Sequence, residues 1–299
     1  WPDVHSNMLI DPYKLFIEQL KFKSFGTGWL LYNGNFFSTL ELPKTYILGN
    51  LFYKTPEFII ISIIVLLLSF IFHKSFYSSN FNSFNINLIT ITLIVIFPML
   101  VFMIAPYRVY DGLRLFFYII PYLNIFPALG IYYLIRNINL AINKISTCII
   151  AVFFLYYLLI FTIINPYQYT YLNKFTGNGN LIVKKFENDY WGISIKELVK
   201  NIPEEIIQSS NEKEIKIAFC GINHQLVKKE LNKLKNLNYK VGYFHSNDYD
   251  YAIMNNRSHA NEDEDILANV QTCFDKAKGS SLAFVKRNGV VLSVIKNNY

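Results

Sequence analysis

Between residues 58 and 164 the chain is built from four apolar runs, and Asp111 is the only acidic residue in that stretch. The runs are Phe58–Phe72, Ile86–Pro106, Leu115–Ile135 and Ile145–Ile164. The last three each hold about twenty residues, the length that crosses a hydrocarbon layer of roughly 30 Å at about 1.5 Å per residue. The first is shorter and reaches across only by extending through Tyr53 and Phe76-Tyr77, with Lys74 snorkelling to the surface. Pro98, Pro121 and Pro127 lie inside these runs. A proline inside a spanning helix frees a carbonyl that neighbouring helices must satisfy, so the runs predict a packed bundle with helices near 58–74, 86–106, 115–135 and 145–164. Charged residues are 16% of the chain and hydrophobic ones 53%. With charge far below the roughly 25% of an ordinary soluble domain, the composition excludes both a single water-soluble globule and a disordered chain.

The net charge of +7 does not point to nucleic acid. Residues 1–164 carry 10 Lys/Arg against 6 Asp/Glu and residues 165–299 carry 18 against 15, with no basic stripe interleaved with aromatics. The loops around residues 73–85 and 136–144 hold Lys74, Arg136 and Lys144, and the loop between them holds Arg108 and Arg114. If the latter arginines are functional, the positive-inside bias puts the first two loops inside, and residues 1–57, the Arg108–Arg114 loop and the C-terminal part on the outer face. The chain opens at Trp1 in a polar, aromatic segment without a signal peptide, which leads us to expect a piece of a longer membrane protein.

Residues 165–299 have the composition of a soluble domain. Helices are expected over Ser194–Ile202, Gln225–Leu234 and Asp263–Ala277, and strands over Ile215–Cys220, Lys240–Phe244 and Tyr251–Met254. A hairpin is expected over Ser281–Lys286 and Val290–Ile295, turning at Arg287-Asn-Gly289. The whole reads as a small α/β domain following a multi-pass helical membrane bundle. The divisions are thus 1–57, an outer polar and aromatic loop; 58–164, the bundle; and 165–299, the outer domain. Gly221 lacks the remainder of a G-x-G-x-x-G signature. Asn256-Arg-Ser258 is a glycosylation sequon. Cys220 and Cys273 have no C-x-x-C or nearby His, which argues against zinc; two readings stay open, a disulfide between them and, favoured over it, two buried unpaired thiols. No Ser/His/Asp, Cys/His or paired-carboxylate arrangement is visible.

Arg108, Asp111 and Arg114 are the only charged residues between Lys74 and Arg136. Spaced three apart, they share one face if a helix continues through them. Guanidinium groups suit bidentate phosphate binding, and a carboxylate between two of them can orient them or accept a substrate hydroxyl. The plainer reading is an interfacial turn, with tyrosines in the aromatic belt, arginines on headgroups and Asp-Gly as turn chemistry. Trp29-Leu-Leu-Tyr-Asn-Gly34 and Leu42-Pro-Lys-Thr-Tyr46 set aromatics beside polar groups, as on sugar-binding or membrane-bound surfaces. Asp189, beside Trp191, either contacts substrate or orders the start of the outer domain, with the structural role favoured.

Several of these segments occur together in one family. Trp1-Pro2, Asp11-Pro12, Leu31-Tyr-Asn-Gly34, Leu42-Pro43, Tyr46 and Lys54-Thr-Pro56 resemble an outer loop and the following helix of bacterial membrane glycosyltransferases of the GT-C fold. These are the family 39 relatives of the dolichyl-phosphate-mannose–protein mannosyltransferases. Tyr110-Asp-Gly-Leu-Arg114 with Pro121, then Asn165-Pro-Tyr, Tyr171-Leu-Asn173, Gly177 and Asp189-Tyr-Trp-Gly192, are similar to later signatures of the group. Leu115 stands where the pattern has His, and Lys44 where Trp is common. The resemblance implies transfer of a sugar from a polyprenyl-phosphate donor to a hydroxyl of a protein, lipid or glycan, at the outer face of a bacterial plasma membrane. It assigns Arg108 and Arg114 to the leaving phosphate, Asp111 to positioning them, and Lys44 and Tyr46 to the donor or acceptor entrance. The family's catalytic acid residue is expected upstream of this chain. No cofactor is evident; a divalent metal occurs in some members, but no ligand set is visible. The alternative is a non-catalytic membrane anchor carrying an outer binding or assembly domain.

Overall fold

The computed structural model describes residues 10, 28–39, 41–104, 109–136, 140–259 and 270–298. Arg108, Trp1-Pro2, Asp11-Pro12 and the first seven residues of the helix expected over Asp263–Ala277 lie outside them. Among the described residues, three helices are long and apolar enough to cross a membrane, or four if one bent pair counts as a single span. A separate mixed-sheet α/β domain follows them.

Strands β1 (Trp29–Tyr32) and β2 (Asn35–Ser38) form an antiparallel hairpin. Asn33 and Gly34 both take positive φ (50° and 85°), the two-residue turn that matches strand twist. Helix α1 (Tyr46–Lys54) leads through Thr55-Pro56 into α2 (Glu57–Phe72) at a bend of 108°. Proline cannot continue a helix and holds the residue before it extended, which places the corner. α2 stops at His73, and a separate short helix covers Lys74–Asn80 within the stretch expected to be a plain connection. α3 (Phe84–Ile104) tolerates Pro98 inside it.

The third apolar run is segmented. In α4 (Arg114–Arg136), a 3₁₀ stretch over Arg114–Ile119 precedes α-helical pieces over Ile120–Leu123 and Ile125–Arg136. Gly130 of α4 packs against the backbone of α2: a Cβ there would come within 2.0 Å of the Ser62 carbonyl oxygen. Only glycine permits this approach, the small-residue packing of apolar helices that meet closely. α5 (Leu140–Ile164) starts five residues earlier than its apolar run, and only 6% of its apolar window is buried. Its flanks are therefore open to whatever surrounds the bundle.

Polar bonds fasten the apolar helices to the domain. The Glu57 carboxylate accepts from the hydroxyls of Tyr157 and Tyr171 and from the Lys174 amide, joining α2, α5 and the chain leaving α5. Asn173 donates its side-chain amide to the carbonyls of Phe52 (2.6 Å) and Thr55 (3.0 Å). It thus satisfies acceptors that the end of α1 leaves without intrahelical partners.

Beyond α5 come α6 (Gly179–Lys185), α7 (Ile195–Lys200), α8 (Glu204–Glu212) and α9 (His224–Leu231). The strands are β3 (Ile215–Cys220), β4 (Tyr239–Val241), β5 (Tyr251–Asn255), β8 (Ser281–Arg287) and β9 (Val290–Asn297), with β6 (Ser258–His259) and β7 (Gln271–Thr272) as a two-residue pair. The five-stranded sheet runs β4-β3-β5-β9-β8, with β3 parallel to β4 and β5, and β9 antiparallel to β5 and β8. Central β5 is buried along its whole length, as a strand flanked on both sides must be. The β8–β9 hairpin turns at Asn288-Gly289, where the sequence places it. α6 and α8 were not expected. Where a helix was expected to end at Ala277, the described part holds β7 and a single turn over Cys273–Lys276. The two cysteines expected to be free thiols form a Cys220–Cys273 disulfide, which ties the end of β3 to the residue after β7. β3 and β7 come together only through the tertiary fold, which fifty residues of spacing cannot reveal.

Candidate functional site

The loop before α4 is a turn, not a continuation of helix. Asp111 and Gly112 both sit at positive φ, 56° and 66°, so Asp111 and Arg114 do not share a helical face as the spacing suggested. Aspartate tolerates this region better than most residues, and glycine freely. The Gly112 amide donates to the Tyr46 hydroxyl (3.1 Å), so buried Tyr46 holds the turn.

The turn aims the Asp111 carboxylate at two guanidiniums. One Oδ lies 3.2 Å from Arg114 and the other 3.4 Å from Arg257, which arrives from the far end of β5. Arg257 also donates to the Tyr190 carbonyl (3.1 Å) and stands 3.8 Å from the Glu187 carboxylate. Glu187 accepts from the amides of Ser258 (2.8 Å) and Leu31 (3.3 Å) and from the Ser258 hydroxyl, which ties β1 to the domain. Burial raises the Glu187 pKa, with Arg257 and these hydrogen bonds opposing the rise. Arg114 is the outermost member, half exposed and lying over the rings of Trp191 (5.6 Å) and Tyr110 (5.9 Å).

Under this cluster is a cavity of about 30 Å³, lined among others by Tyr46, Asn50, Lys54, Asp111, Glu187 and Tyr190. That volume suits a water molecule and is far below a sugar. Tyr46, Asn50 and Lys54 recur every four residues and so form one stripe of α1. The Lys54 amine lies 5.6 Å above the Tyr190 ring and directly against Gly112, where an added Cβ would come within 2.5 Å of it. Among the described residues it has no hydrogen-bond or ion-pair partner. α1 packs against the hairpin, Gly112 and Phe186, outside the apolar spans, and burial there lowers the Lys54 pKa to about 8, with Asp111 opposing. Acylation of Lys54, followed by mass spectrometry across a pH series, should therefore show a midpoint near 8 where an ordinary lysine shows 10.5. Because Asp111 favours the ammonium form, Asp111→Asn should move the midpoint lower still. A midpoint at the ordinary value would show the amine to be solvated.

Of the residues picked from sequence, Asp111, Arg114 and Tyr46 come together here, and Arg108 lies outside the described residues. Lys44 is exposed and does not line the cavity. Asp189 takes the structural role: its carboxylate accepts from the amides of Ile193 and Ser194 (both 3.0 Å) and from the hydroxyls of Ser194 and Tyr169. Trp191 presents its partly exposed ring to Arg114. Three members went unpicked. Lys54 was readable from the four-residue spacing with Tyr46 and Asn50, and Glu187 carries no local signal. Arg257 is the middle of the sequon, whose Asn256 is buried and donates to the carbonyls of Val183 (2.7 Å) and Phe186 (3.0 Å). That amide is a brace for the segment carrying Glu187, not an open glycan acceptor.

No group of three or more His, Cys, Asp or Glu among the described residues is placed to hold a metal ion. The site carries three cationic side chains against two carboxylates, a local excess of positive charge at the edge of the apolar helices. Comparison of the chain with protein-family models, curated proteins and solved structures gave no match.

Proposed function

We propose that this chain is an integral membrane glycosyltransferase of the GT-C type, similar to the family 39 protein mannosyltransferases. It transfers a sugar from a polyprenyl-phosphate donor to a hydroxyl of a protein, lipid or glycan at the outer face of a bacterial plasma membrane. The observation that carries this reading is the convergence of Arg114, Arg257 and Lys54 on Asp111 where the apolar helices meet the α/β domain. A lipid-linked donor keeps its chain in the bilayer and its phosphate at that boundary. Sugar transfer leaves a free phosphate whose negative charge grows in the transition state, and fixed cations there stabilise it more than the ground state. Arg114 is the more exposed of the two guanidiniums and is the one offered to the phosphate, while Asp111, itself held by Arg257, fixes its direction. Neither carboxylate is free to take the acceptor's proton: Asp111 is shared between two arginines, and Glu187 is occupied by Arg257, Ser258 and Leu31. The base therefore comes from elsewhere in the enzyme.

The test is transfer from a panel of polyprenyl-phosphate sugars by membranes containing the full-length gene product, with Arg114→Ala at matched protein level. Loss of about a hundredfold is expected, the size of removing one preorganised charge-stabilising donor. Unchanged transfer would remove Arg114 from the site. The anchor reading draws on a specific observation, the cavity's small volume. Absence of transfer from every donor by the unmodified protein would favour it.

A further inference from the structure

Opposite the stripe that lines the cavity, α1 carries a second apolar stripe that is left exposed among the described residues. Leu48 and Phe52 are 45% and 44% exposed. The Phe52 ring stacks on that of Phe175 (centroids 5.4 Å apart), which is 58% exposed, and Leu181 continues the patch across Gly177. Four large exposed apolar side chains on one helix face and the segment beside it are unusual on a surface facing only water. Lys174, Lys184 and Lys185 lie in the segment that carries Phe175 and Leu181, and residues 174–186 contain no acidic side chain; Lys174 lies over the Tyr156 ring and Lys185 donates to the Thr176 carbonyl.

The bend fixes how this patch lies. If α2 crosses a bilayer, α1 at 108° to it runs close to the membrane plane. The corner falls where Tyr157, Tyr171 and Glu57 mark the change from apolar to polar surroundings. We infer that α1 is an interfacial helix whose outer stripe, Leu48 and Phe52 with Phe175 and Leu181, is seated in the headgroup boundary of an anionic bilayer. Its inner stripe, Tyr46, Asn50 and Lys54, then opens the cavity at the same depth. A second protein surface accounts for the apolar side chains, but three lysines in a segment without acidic residues favour an anionic one. Anionic lipid accounts for both, since basic groups near such a surface are drawn to it and apolar ones are buried in it. The inference rests on the membrane reading but not on any enzyme activity, and it sets the exposed edge of the cation cluster near the depth of a lipid-borne phosphate.

Spin labels test it directly. The full-length protein, with Cys148 replaced by alanine and the Cys220–Cys273 disulfide intact, is reconstituted in phosphatidylcholine–phosphatidylglycerol vesicles. Phe52→Cys, Phe175→Cys and Leu181→Cys are labelled one at a time. Phe97→Cys in α3 serves as the hydrocarbon reference and Phe284→Cys in β8 as the water reference; both positions are well exposed. Collisions with oxygen and with a water-soluble nickel complex are then compared. The inference expects the three labels to lie between the references, with the oxygen-to-nickel ratio several-fold above that of Phe284→Cys and below that of Phe97→Cys. Ratios equal to the water reference overturn it, as do labels shielded from both reagents, which would show a covering protein segment or second copy. If Phe97→Cys also reads as water, the membrane reading itself has failed. If only the three labels do, this inference alone has.

Discussion

Asp111→Asn is expected to lower sugar transfer by a hundredfold or more while the chain still folds. The prediction follows from what the carboxylate holds. Its two oxygens are divided between Arg114 and Arg257, which come from segments more than 140 residues apart in sequence. Asparagine keeps the size and one acceptor oxygen but removes the charge that offsets two neighbouring guanidiniums. Each charge-assisted bond contributes about 1.5–3 kcal/mol, so losing one full equivalent corresponds to roughly ten- to a hundredfold, and losing both to more. Arg114, already half exposed, is the side chain free to swing away. Asparagine is also the informative replacement for the backbone, because Asp111 stands at φ 56°, where asparagine is tolerated and alanine adds strain. The measurement pairs transfer at matched protein level with thermal stability of the solubilised protein. A large loss of transfer with a small loss of stability places Asp111 in the site as a positioning residue. Loss of stability with normal transfer would make the cluster a clasp that only docks the α/β domain on the helices.

The helical part was legible because each apolar run needs only its own sequence to declare itself. Pro121 and Pro127 marked where α4 would be irregular, but the turn that precedes it was not legible, since Asp111-Gly112 folds around Tyr46, a contact 66 residues away. Asn-Gly signalled the β8–β9 hairpin at residues 288–289, and the same dipeptide at 33–34 makes β1–β2 turn. The second was passed over because its aromatic neighbours drew the reading toward a binding loop. The site divides the same way. Asp111 and Arg114 stand out as charges in an apolar stretch, and Tyr46 entered through motif resemblance. Glu187 and Arg257 lie in a stretch rich in charges, where nothing local separates an ion pair with Asp111 from an ordinary solvated side chain. They become part of the site because Asn255 and Asn256 at the end of β5 donate to the carbonyls of Asp189, Val183 and Phe186, holding that segment beside the turn.

The largest stability effect is expected from the Cys220–Cys273 disulfide, which also reports on which side of the membrane the domain lies. Both cysteines are fully buried, and the bond closes a loop spanning a sequence separation of 53. In the chain-entropy account, a loop of that length confers about 4 kcal/mol by restricting the unfolded state. The loop contains β4, β5 and the Arg257 segment, so losing the bond should loosen the half of the site that the domain contributes. The Cys220→Ser, Cys273→Ser double variant is therefore expected to lower the urea midpoint at which the domain of the solubilised full-length protein becomes protease-sensitive. Serine is nearly isosteric, so a cavity adds little to the loss. Such a bond persists in an oxidising compartment and is kept reduced in a cytosol. Protein denatured in its membranes with a thiol-alkylating reagent should then show only Cys148 modified before reduction, and all three cysteines after it. Full alkylation without reduction would place the domain on the cytosolic side. That outcome would remove the outer-face placement on which a lipid-linked donor depends, because the cation cluster and the disulfide belong to the same folded unit and must face the same compartment.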